Sequence, residues 1–201
     1  YDEGESVDEL DVTGFELVRS DIADVTEVVQ SDVLESICYA DPESARQSVY
    51  ERVREAMSAI TDGTTPLEDI VLWQGLSKDP SEYGTVDRSP QPPFRGANYA
   101  NQFIDGESIS AGDSVAQVYV ARIKPTSDLP TTYISETAED GDRVDTIAVT
   151  DPSNIPSSVI IDREKHARKT VIEPLESIFR AMNWDFDAAR MGQTQQSLGD
   201  F

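Results

Sequence analysis

Paired carboxylates near the end of the chain come closest, in type and spacing, to a metal or catalytic site. Asp185 and Asp187 flank Phe186, and two such carboxylates can share a metal ion or serve a small hydrolase. An aspartate after Trp184 can equally cap a helix, and we favour the cap. Asp140-Gly141-Asp142 lacks the remaining ligands of a calcium loop. The residues alone therefore predict a binding module and no metal or cofactor.

Histidine chemistry would depend on His166, the only histidine in the chain. It lies in the only cluster of basic residues, and no nucleophile has a base beside it. We therefore predict an exposed imidazole that contacts DNA or solvent. The cluster stands out in an acidic chain and comprises Arg163, Lys165, His166, Arg168 and Lys169.

The end of the sequence carries a recognition pattern. Gln195, Leu198 and Phe201 have the spacing Gln-x-x-Leu-x-x-Phe, with a polar residue ahead of an aliphatic and an aromatic one on the same side of a helical turn. This spacing is typical of peptides that bind sliding clamps, in which a few buried anchors carry the affinity. The alternative is a tail whose two apolar residues fold back onto the domain.

The negative charge is spread over the whole chain. Of 201 residues, 39 are Asp or Glu and 16 are Lys or Arg, so the net charge is −23. Apolar residues at helical and strand spacing argue against a disordered chain, and the even spread of charge argues against a nucleic-acid mimic. We favour adaptation to molar salt, in which the Debye length falls to about 3 Å. Negative charge therefore does not exclude a nucleic-acid partner.

The compartment is predicted from cysteine content and hydropathy. Cys38 is the only cysteine, so the chain can form no internal disulfide, and its neighbours Leu34 and Ile37 predict a small core residue. No apolar run approaches the roughly 20 residues needed to span a bilayer. We expect a cytoplasmic protein with no membrane partner. Because the sequence begins at Tyr1 and not at Met, we expect a fragment or a processed product.

Three long helices are predicted. Apolar residues at spacings of three and four indicate a helix over 21–38. Asp41 caps a second helix over 42–60, which should pack antiparallel to the first. A final helix extends over 162–182, with its cap at Asp162, and Pro174 should kink it.

Shorter elements lie between these helices. Thr65-Pro66-Leu67-Glu68 is a capping box that should open a single helical turn. The segment 77–96 is rich in Pro, Gly and Ser, and such long connections are usually functional or disordered. A short helix is predicted over 97–104, and 124–158 is polar and acidic. Strands are predicted at 70–73, 115–123 and 147–149.

Seven segments of the chain fall into one register. They are Gly14 to Asp21 (Gly-Phe-Glu-Leu-Val-Arg-Ser-Asp) with the helix over 30–37, Leu76-Ser77-Lys78 ahead of Tyr83, Ile109 to Asp113, Val118-Tyr119-Val120, Gly141-Asp142-Arg143-Val144, Pro174-Leu175 with Ile178-Phe179, and the tail from Gln195 to Phe201. In this order they resemble the thumb of archaeal family B DNA polymerases. The first resembles the palm–thumb junction, and the last lies where those enzymes carry a clamp motif.

The resemblance implies an α+β fold, a helical thumb subdomain with an antiparallel helix pair, a kinked C-terminal helix and a small β-sheet. Residues 1–20 would be the end of the palm and the palm–thumb junction, with Tyr1 matching the tyrosine that closes the palm's basic motif. Residues 21–190 would form the thumb, with an acidic polar insertion at 124–158. Residues 191–201 would form the clamp-binding tail.

The resemblance also implies partners and contacts. The parent enzyme, from a salt-adapted archaeon, would extend DNA by two-metal phosphoryl transfer with Mg²⁺. The sequence lacks the Asp-Thr-Asp of the palm, so the chain alone should be inactive and hold no cofactor. Its partners would be primer-template double-stranded DNA and a sliding clamp. The implied DNA contacts are Arg19, Lys78 and Arg143, joined by Arg163, Arg168 and Lys169 of the basic cluster, and the clamp contacts are Gln195, Leu198 and Phe201.

The chain departs from the family pattern at several positions. The second arginine of the junction is Ser20, a Pro-His-Val corresponds to Pro93-Phe94-Arg95, and a tyrosine pair in the last helix corresponds to His166-Ala167. Two alternatives remain open. One is an acidic protein-interaction module of the replication machinery without DNA contact, and the other is a small hydrolase that uses Asp185 and Asp187.

Overall fold

Helices at both ends of the described chain enclose a small antiparallel sheet. The computed structural model describes residues 22–83, 91–133 and 143–191. The elements, in chain order, are α1 (Asp24–Tyr39), α2 (Pro42–Asp62), α3 (Leu67–Ile70), β1 (Leu72–Gly75), a 3₁₀ turn (Pro80–Glu82), α4 (Pro92–Phe103), β2 (Ser114–Ile123), β3 (Thr146–Val149), a second 3₁₀ turn (Pro152–Asn154), β4 (Val159–Ile161), α5 (Arg163–Ala167), a π-helical turn (Arg168–Ile172), α6 (Glu173–Met182) and α7 (Phe186–Met191). The mixed helix and strand content agrees with the α+β prediction.

The first two helices form an antiparallel pair. Asp41 accepts a hydrogen bond from the backbone N–H of Ser44 and so caps α2, as the sequence predicts. The contacts Arg52–Asp32 and Ser48–Ser36 link the two helices. The partner on α2 has a lower residue number when the partner on α1 has a higher one, so the helices are antiparallel. Val29 and Val33 of α1 meet Val49 and Val53 of α2 in a common apolar core.

The final helix completes this helical core. Asp162 caps it by accepting from the backbone N–H of Lys165. Pro174 has no N–H for the carbonyl of Thr170 four residues earlier, and the chain forms a π-helical turn just before this proline. The Thr170 carbonyl instead accepts a 2.7 Å hydrogen bond from the Thr26 hydroxyl on α1. The kink predicted at Pro174 therefore takes the form of a change from α-helix to π-helix, which the hydrogen bond from Thr26 of α1 stabilises.

The sheet is organised around β2. Its residues 114–117 pair with β1, 116–119 pair with β3 and 120–123 pair with β4, all antiparallel. The helix α4 packs across β3 at Gly96, where a Cβ would lie 2.6 Å from the backbone nitrogen of Ala148. This close approach builds a second apolar core between α4 and the sheet.

Four local predictions are corrected. Cys38 is exposed, because it lies nine residues beyond Val29 and so on the opposite face of α1. The Thr65-Pro66-Leu67-Glu68 box does not form, since α3 begins after Pro66 without a side-chain cap. The predicted strand at 70–73 is shifted to β1, because Ile70 ends α3. The helix predicted over 97–104 begins earlier, at Pro92, where proline fits the first turn.

The end of the described chain has a simple cap. The carboxylate of Asp185 accepts from the backbone N–H groups of Asp187 and Ala188, at 2.8 and 3.2 Å, and so opens α7. The favoured capping role of Asp185 is therefore confirmed. The remaining predictions for the tail fall on Gln195, Leu198 and Phe201, which lie outside the described residues.

Candidate functional site

The predicted DNA contacts divide into three groups. Arg19 lies outside the described residues. Lys78 and Arg143 are both exposed. The other three, Arg163, Arg168 and Lys169, lie together at the start of the final helix.

Lys78 lies in a short segment that is fixed on both sides. Before it, Leu76 is buried and exchanges backbone hydrogen bonds with the turn at Gly112 and Asp113, at 2.7 and 2.8 Å. After it, Asp79 caps the 3₁₀ turn, and Asn98 of α4 donates to the carbonyl of Pro80 at 2.9 Å. The ammonium of Lys78 therefore extends from an anchored backbone into solvent.

An aromatic stack lies beside Lys78. The ring of Tyr83 packs on that of buried Phe94, with centroids 3.4 Å apart and planes 21° from parallel. The hydroxyls of Tyr83 and Ser77 lie within hydrogen-bond distance, at 2.8 Å, and the Lys78 ammonium is 6.0 Å from the centre of the Tyr83 ring. The stack attaches the segment that carries Lys78 to the first turn of α4.

Arg143 lies two residues before a contact with the same helix. It pairs with Thr132 in an isolated β-bridge, and Val144 beside it donates from its backbone to Thr131 at 3.1 Å. Two residues later, the carboxylate of Asp145 forms a two-nitrogen ion pair with Arg95 in the first turn of α4. Lys78 and Arg143 thus stand on two segments that both contact the start of α4.

The ion pair at Arg95 belongs to a network that sequence reasoning missed. Tyr133 is buried, its hydroxyl donates to the carbonyl of Thr146 at 2.6 Å, and it lies 3.2 Å from the Asp145 carboxylate. Burial raises the pKa of Tyr133, and the Asp145 charge raises it further, so the hydroxyl stays protonated. The signal that could have found this network is Arg95 itself, a cation where the family pattern has an apolar residue.

The basic cluster is largely engaged within the fold. Arg163 donates from Nη1 to the carbonyls of Ile60 and Thr65, at 3.1 and 3.0 Å, and so ties the C-terminal end of α2 to α5. The Lys165 ammonium lies 4.0 Å from the centre of the Tyr119 ring. These two cations therefore serve the packing of α5 on α2 and β2.

The next two cations share one carboxylate. Glu173 lies 2.8 Å from the Lys169 ammonium and 3.6 Å from the Arg168 guanidinium. Lys78 and Arg143, by contrast, have no ion pair within the part of the chain that the structure describes. Among the predicted contacts that the structure describes, Lys78 and Arg143 are therefore the two whose charged groups bind neither a carboxylate nor a carbonyl.

The prediction of an exposed His166 is wrong. The imidazole is completely buried, its Nε2 accepts from the backbone N–H of Tyr119 at 2.9 Å, and its Nδ1 donates to the carbonyl of Ile70 at 3.0 Å. Burial lowers the pKa of His166 from 6.5 to about 4 and keeps the ring neutral. The physical reason is the packing of α5 against α3 and β2, which places the side chain of residue 166 between Ile70 and Tyr119.

The described carboxylates also bear on metal binding. Within residues 22–83, 91–133 and 143–191, no three His, Cys, Asp or Glu side chains come together as metal ligands. The Oδ1 atom of Asp185 accepts the capping hydrogen bonds of α7. No described helix has the length and hydropathy needed to cross a membrane.

Comparisons with known proteins place this arrangement in a family. The profile of the family described as DNA polymerase family B matches residues 1–182. The chain is 25% identical over 117 residues to the DNA polymerase alpha catalytic subunit of Xenopus laevis and 32% identical over 77 residues to the DNA polymerase of Archaeoglobus fulgidus. These matches cover 58% and 38% of this chain but only 8% and 10% of the relatives.

A solved structure shares the fold. The family B DNA polymerase from the hyperthermophilic archaeon Pyrobaculum calidifontis superposes with a TM-score of 0.54 at 20% identity. The superposition covers 77% of this chain and 17% of that polymerase chain. The resemblance therefore concerns one part of a much larger protein.

Proposed function

The chain belongs to DNA polymerase family B, and we propose that it is the thumb of a replicative polymerase of haloarchaeal type, which holds primer-template double-stranded DNA. The observation that carries the proposal is the family match over residues 1–182. The position of Lys78 and Arg143 supports it, since both are exposed and stand on segments that contact the start of α4 through Tyr83 and Asp145.

We propose that these cations bind DNA phosphates. Phosphate contacts fix the register of a protein on a duplex, and they need exposed cations that carboxylates do not already neutralise. Lys78 and Arg143 meet that condition within the described residues, and Arg19 would extend the surface. Arg163, Arg168 and Lys169 are secondary contacts in this proposal, because each already binds a carbonyl or a carboxylate.

The acidity of the chain is compatible with this role. At molar ionic strength, repulsion between its net charge of −23 and DNA is screened within about 3 Å. Contacts at hydrogen-bond distance are screened less than the long-range repulsion. We therefore propose that DNA binding can be measured at high salt. The few contact cations then set the dissociation constant.

The tail and the chemistry of the parent enzyme complete the proposal. We propose that Gln195, Leu198 and Phe201 bind a sliding clamp. The parent polymerase would use Mg²⁺ for nucleotide addition. The sequence lacks the Asp-Thr-Asp of the palm, so we propose that the chain by itself does not incorporate nucleotides.

A salt series tests DNA binding directly. Once the salt concentration is high enough to screen the net charge, fluorescence anisotropy of a labelled primer-template with the chain should give a linear plot of log affinity against log salt, with a slope of about −0.9 for each phosphate contacted. Lys78→Ala should make the slope shallower by about 0.9. Lys124→Ala is the matched control, because this lysine is exposed and donates to the carbonyl of Ser157. Unchanged affinity and slope for Lys78→Ala would remove Lys78 from the phosphate contacts.

One observation favours the alternative of an acidic interaction module without DNA contact. Glu173 neutralises Arg168 and Lys169, which reduces the positive charge of the only basic cluster. On that alternative, the chain would not bind duplex DNA at any salt concentration in the series. The same anisotropy experiment therefore separates the two functions.

A further inference from the structure

The backbone around Lys78 is anchored on both sides, although the lysine side chain itself is exposed. Leu76 and Pro80 are buried on either side of it, and a 3₁₀ turn follows. Lysine has a long, flexible stem, and its rotamer freedom opposes any fixed contact with a phosphate. A neighbouring group that restricts this stem before DNA arrives would lower the entropic cost of binding.

Tyr83 is placed to do this. Its ring face is held by stacking on Phe94, and its hydroxyl is 2.8 Å from that of Ser77, the residue before Lys78. The Lys78 ammonium lies 6.0 Å from the ring centre, at the outer limit of a cation–π contact. Among the described residues no carboxylate competes for this ammonium.

We propose that Tyr83 is a positioning residue for Lys78, which restricts the lysine ammonium over an aromatic face on the DNA-binding surface. The inference rests on the proposed phosphate contact of Lys78. It goes beyond that contact, because it assigns a function to a residue that itself need not touch DNA. The Phe94 ring holds the platform in place, and the Ser77 hydroxyl sets its orientation.

A double-mutant cycle tests the proposal with the 201-residue chain and a labelled primer-template. Tyr83→Leu keeps an apolar side chain on Phe94 and removes the aromatic face. It should weaken binding about two- to five-fold, as expected for loss of an exposed cation–π contact, and make the salt slope shallower. In the Lys78→Ala background, Tyr83→Leu should have no further effect on affinity or slope. Tyr83→Phe should keep most of the affinity, because the ring remains.

Controls separate positioning from stability and from the proposed function. Tyr39→Leu is the matched control, because Tyr39 is 67% exposed on α1 and should leave binding unchanged. Circular dichroism of each variant verifies folding. If Tyr83→Leu does not fold, Tyr83→Met replaces it, because methionine also removes the aromatic face and its flexible side chain fills an irregular space. In that event, zero coupling between Tyr83→Met and Lys78→Ala counts against positioning.

The outcomes are distinguishable. If Lys78→Ala leaves the slope unchanged, the phosphate contact itself fails and the inference fails with it. If Lys78→Ala reduces the slope but Tyr83→Leu weakens binding equally in both backgrounds, the DNA contact stands and Tyr83 acts independently. That second result overturns the positioning role alone.

Discussion

The Nε2 atom of His166 accepts a 2.9 Å hydrogen bond from the backbone N–H of Tyr119. Through this bond α5 is joined to β2, and the Nδ1–H of the same ring joins it to the carbonyl of Ile70 at the end of α3. The imidazole thus lies between the helical core and the sheet core and satisfies one backbone group from each neighbouring element. A buried histidine in this position must be neutral, since Nε2 is an acceptor.

His166 should make the stability of the chain dependent on pH. Its pKa is about 4 in the fold and 6.5 when unfolded, so the unfolded state binds the extra proton between these values. The stabilisation is complete above pH 6.5 and is lost as the pH falls towards 4, amounting to roughly 3 kcal/mol. The free energy of unfolding, measured by urea denaturation across this range, should show the loss.

The control for this experiment is His166→Gln, which keeps an acceptor and does not titrate. Carboxylates titrate in both proteins, so the difference between the two curves isolates the histidine. We expect that difference to shrink as the pH falls from about 7 to about 4. A difference that stays constant over this interval would show that His166 does not carry the shifted pKa.

Gly96→Ala should destabilise the fold. The new Cβ would lie 2.6 Å from the backbone nitrogen of Ala148 and 2.8 Å from the carbonyl carbon of Ile147, and β3 is held in the sheet by its pairing with β2. Overpacking of this kind costs about 1–3 kcal/mol, measurable by urea denaturation. Gly75→Ala is the control, since no described atom lies within 4 Å of the position that its Cβ would take. Equal stability of both variants would mean that α4 can move away from β3.

Glu173→Gln should strengthen DNA binding. The substitution releases Arg168 and Lys169 from their shared carboxylate, and two newly available cations can steepen the salt slope by up to about 1.8. Glu176→Gln gives the same change in net charge one turn away, without an ion pair among the described residues. Anisotropy titrations in which both variants behave alike would attribute the gain to net charge and not to the two cations.

The tail from Gln193 to Phe201 should bind a sliding clamp. Burying Leu198 and Phe201 is worth roughly 1.5–3 kcal/mol for each side chain, and such anchoring persists at molar salt, where ion pairs are screened. Calorimetry of the tail peptide against the clamp should give heat that the double variant Leu198→Ala and Phe201→Ala lacks. The motif normally ends in two adjacent apolar residues, so this peptide should bind more weakly than a longer one. Equal heats for the wild-type peptide and the double variant would show that the tail does not bind the clamp through Leu198 and Phe201.

Local sequence predicted the long helices because their signals are local. The apolar spacing of α1, the Asp41 cap of α2 and the Asp162 cap of the final helix each act within a few residues. Resemblance along the chain likewise indicated DNA polymerase family B, which the family match confirms. The strand β4 was missed, although its Val159-Ile160-Ile161 run after Pro156 is a β-branched signal that could have found it.

Tertiary structure alone decided the surroundings of the charged and polar residues. His166 binds residues 47 and 96 positions away, and Thr26 supports a carbonyl 144 positions away. No periodicity encodes such pairs, because they depend on which faces of separate elements meet. Glu173 differs from these, because its contact with Lys169 is a local i,i+4 pair that helical spacing encodes, whereas its contact with Arg168 spans five residues beside the π-helical turn. Sequence therefore determined the family and the main helices, whereas packing determined which cations remain available to a phosphate.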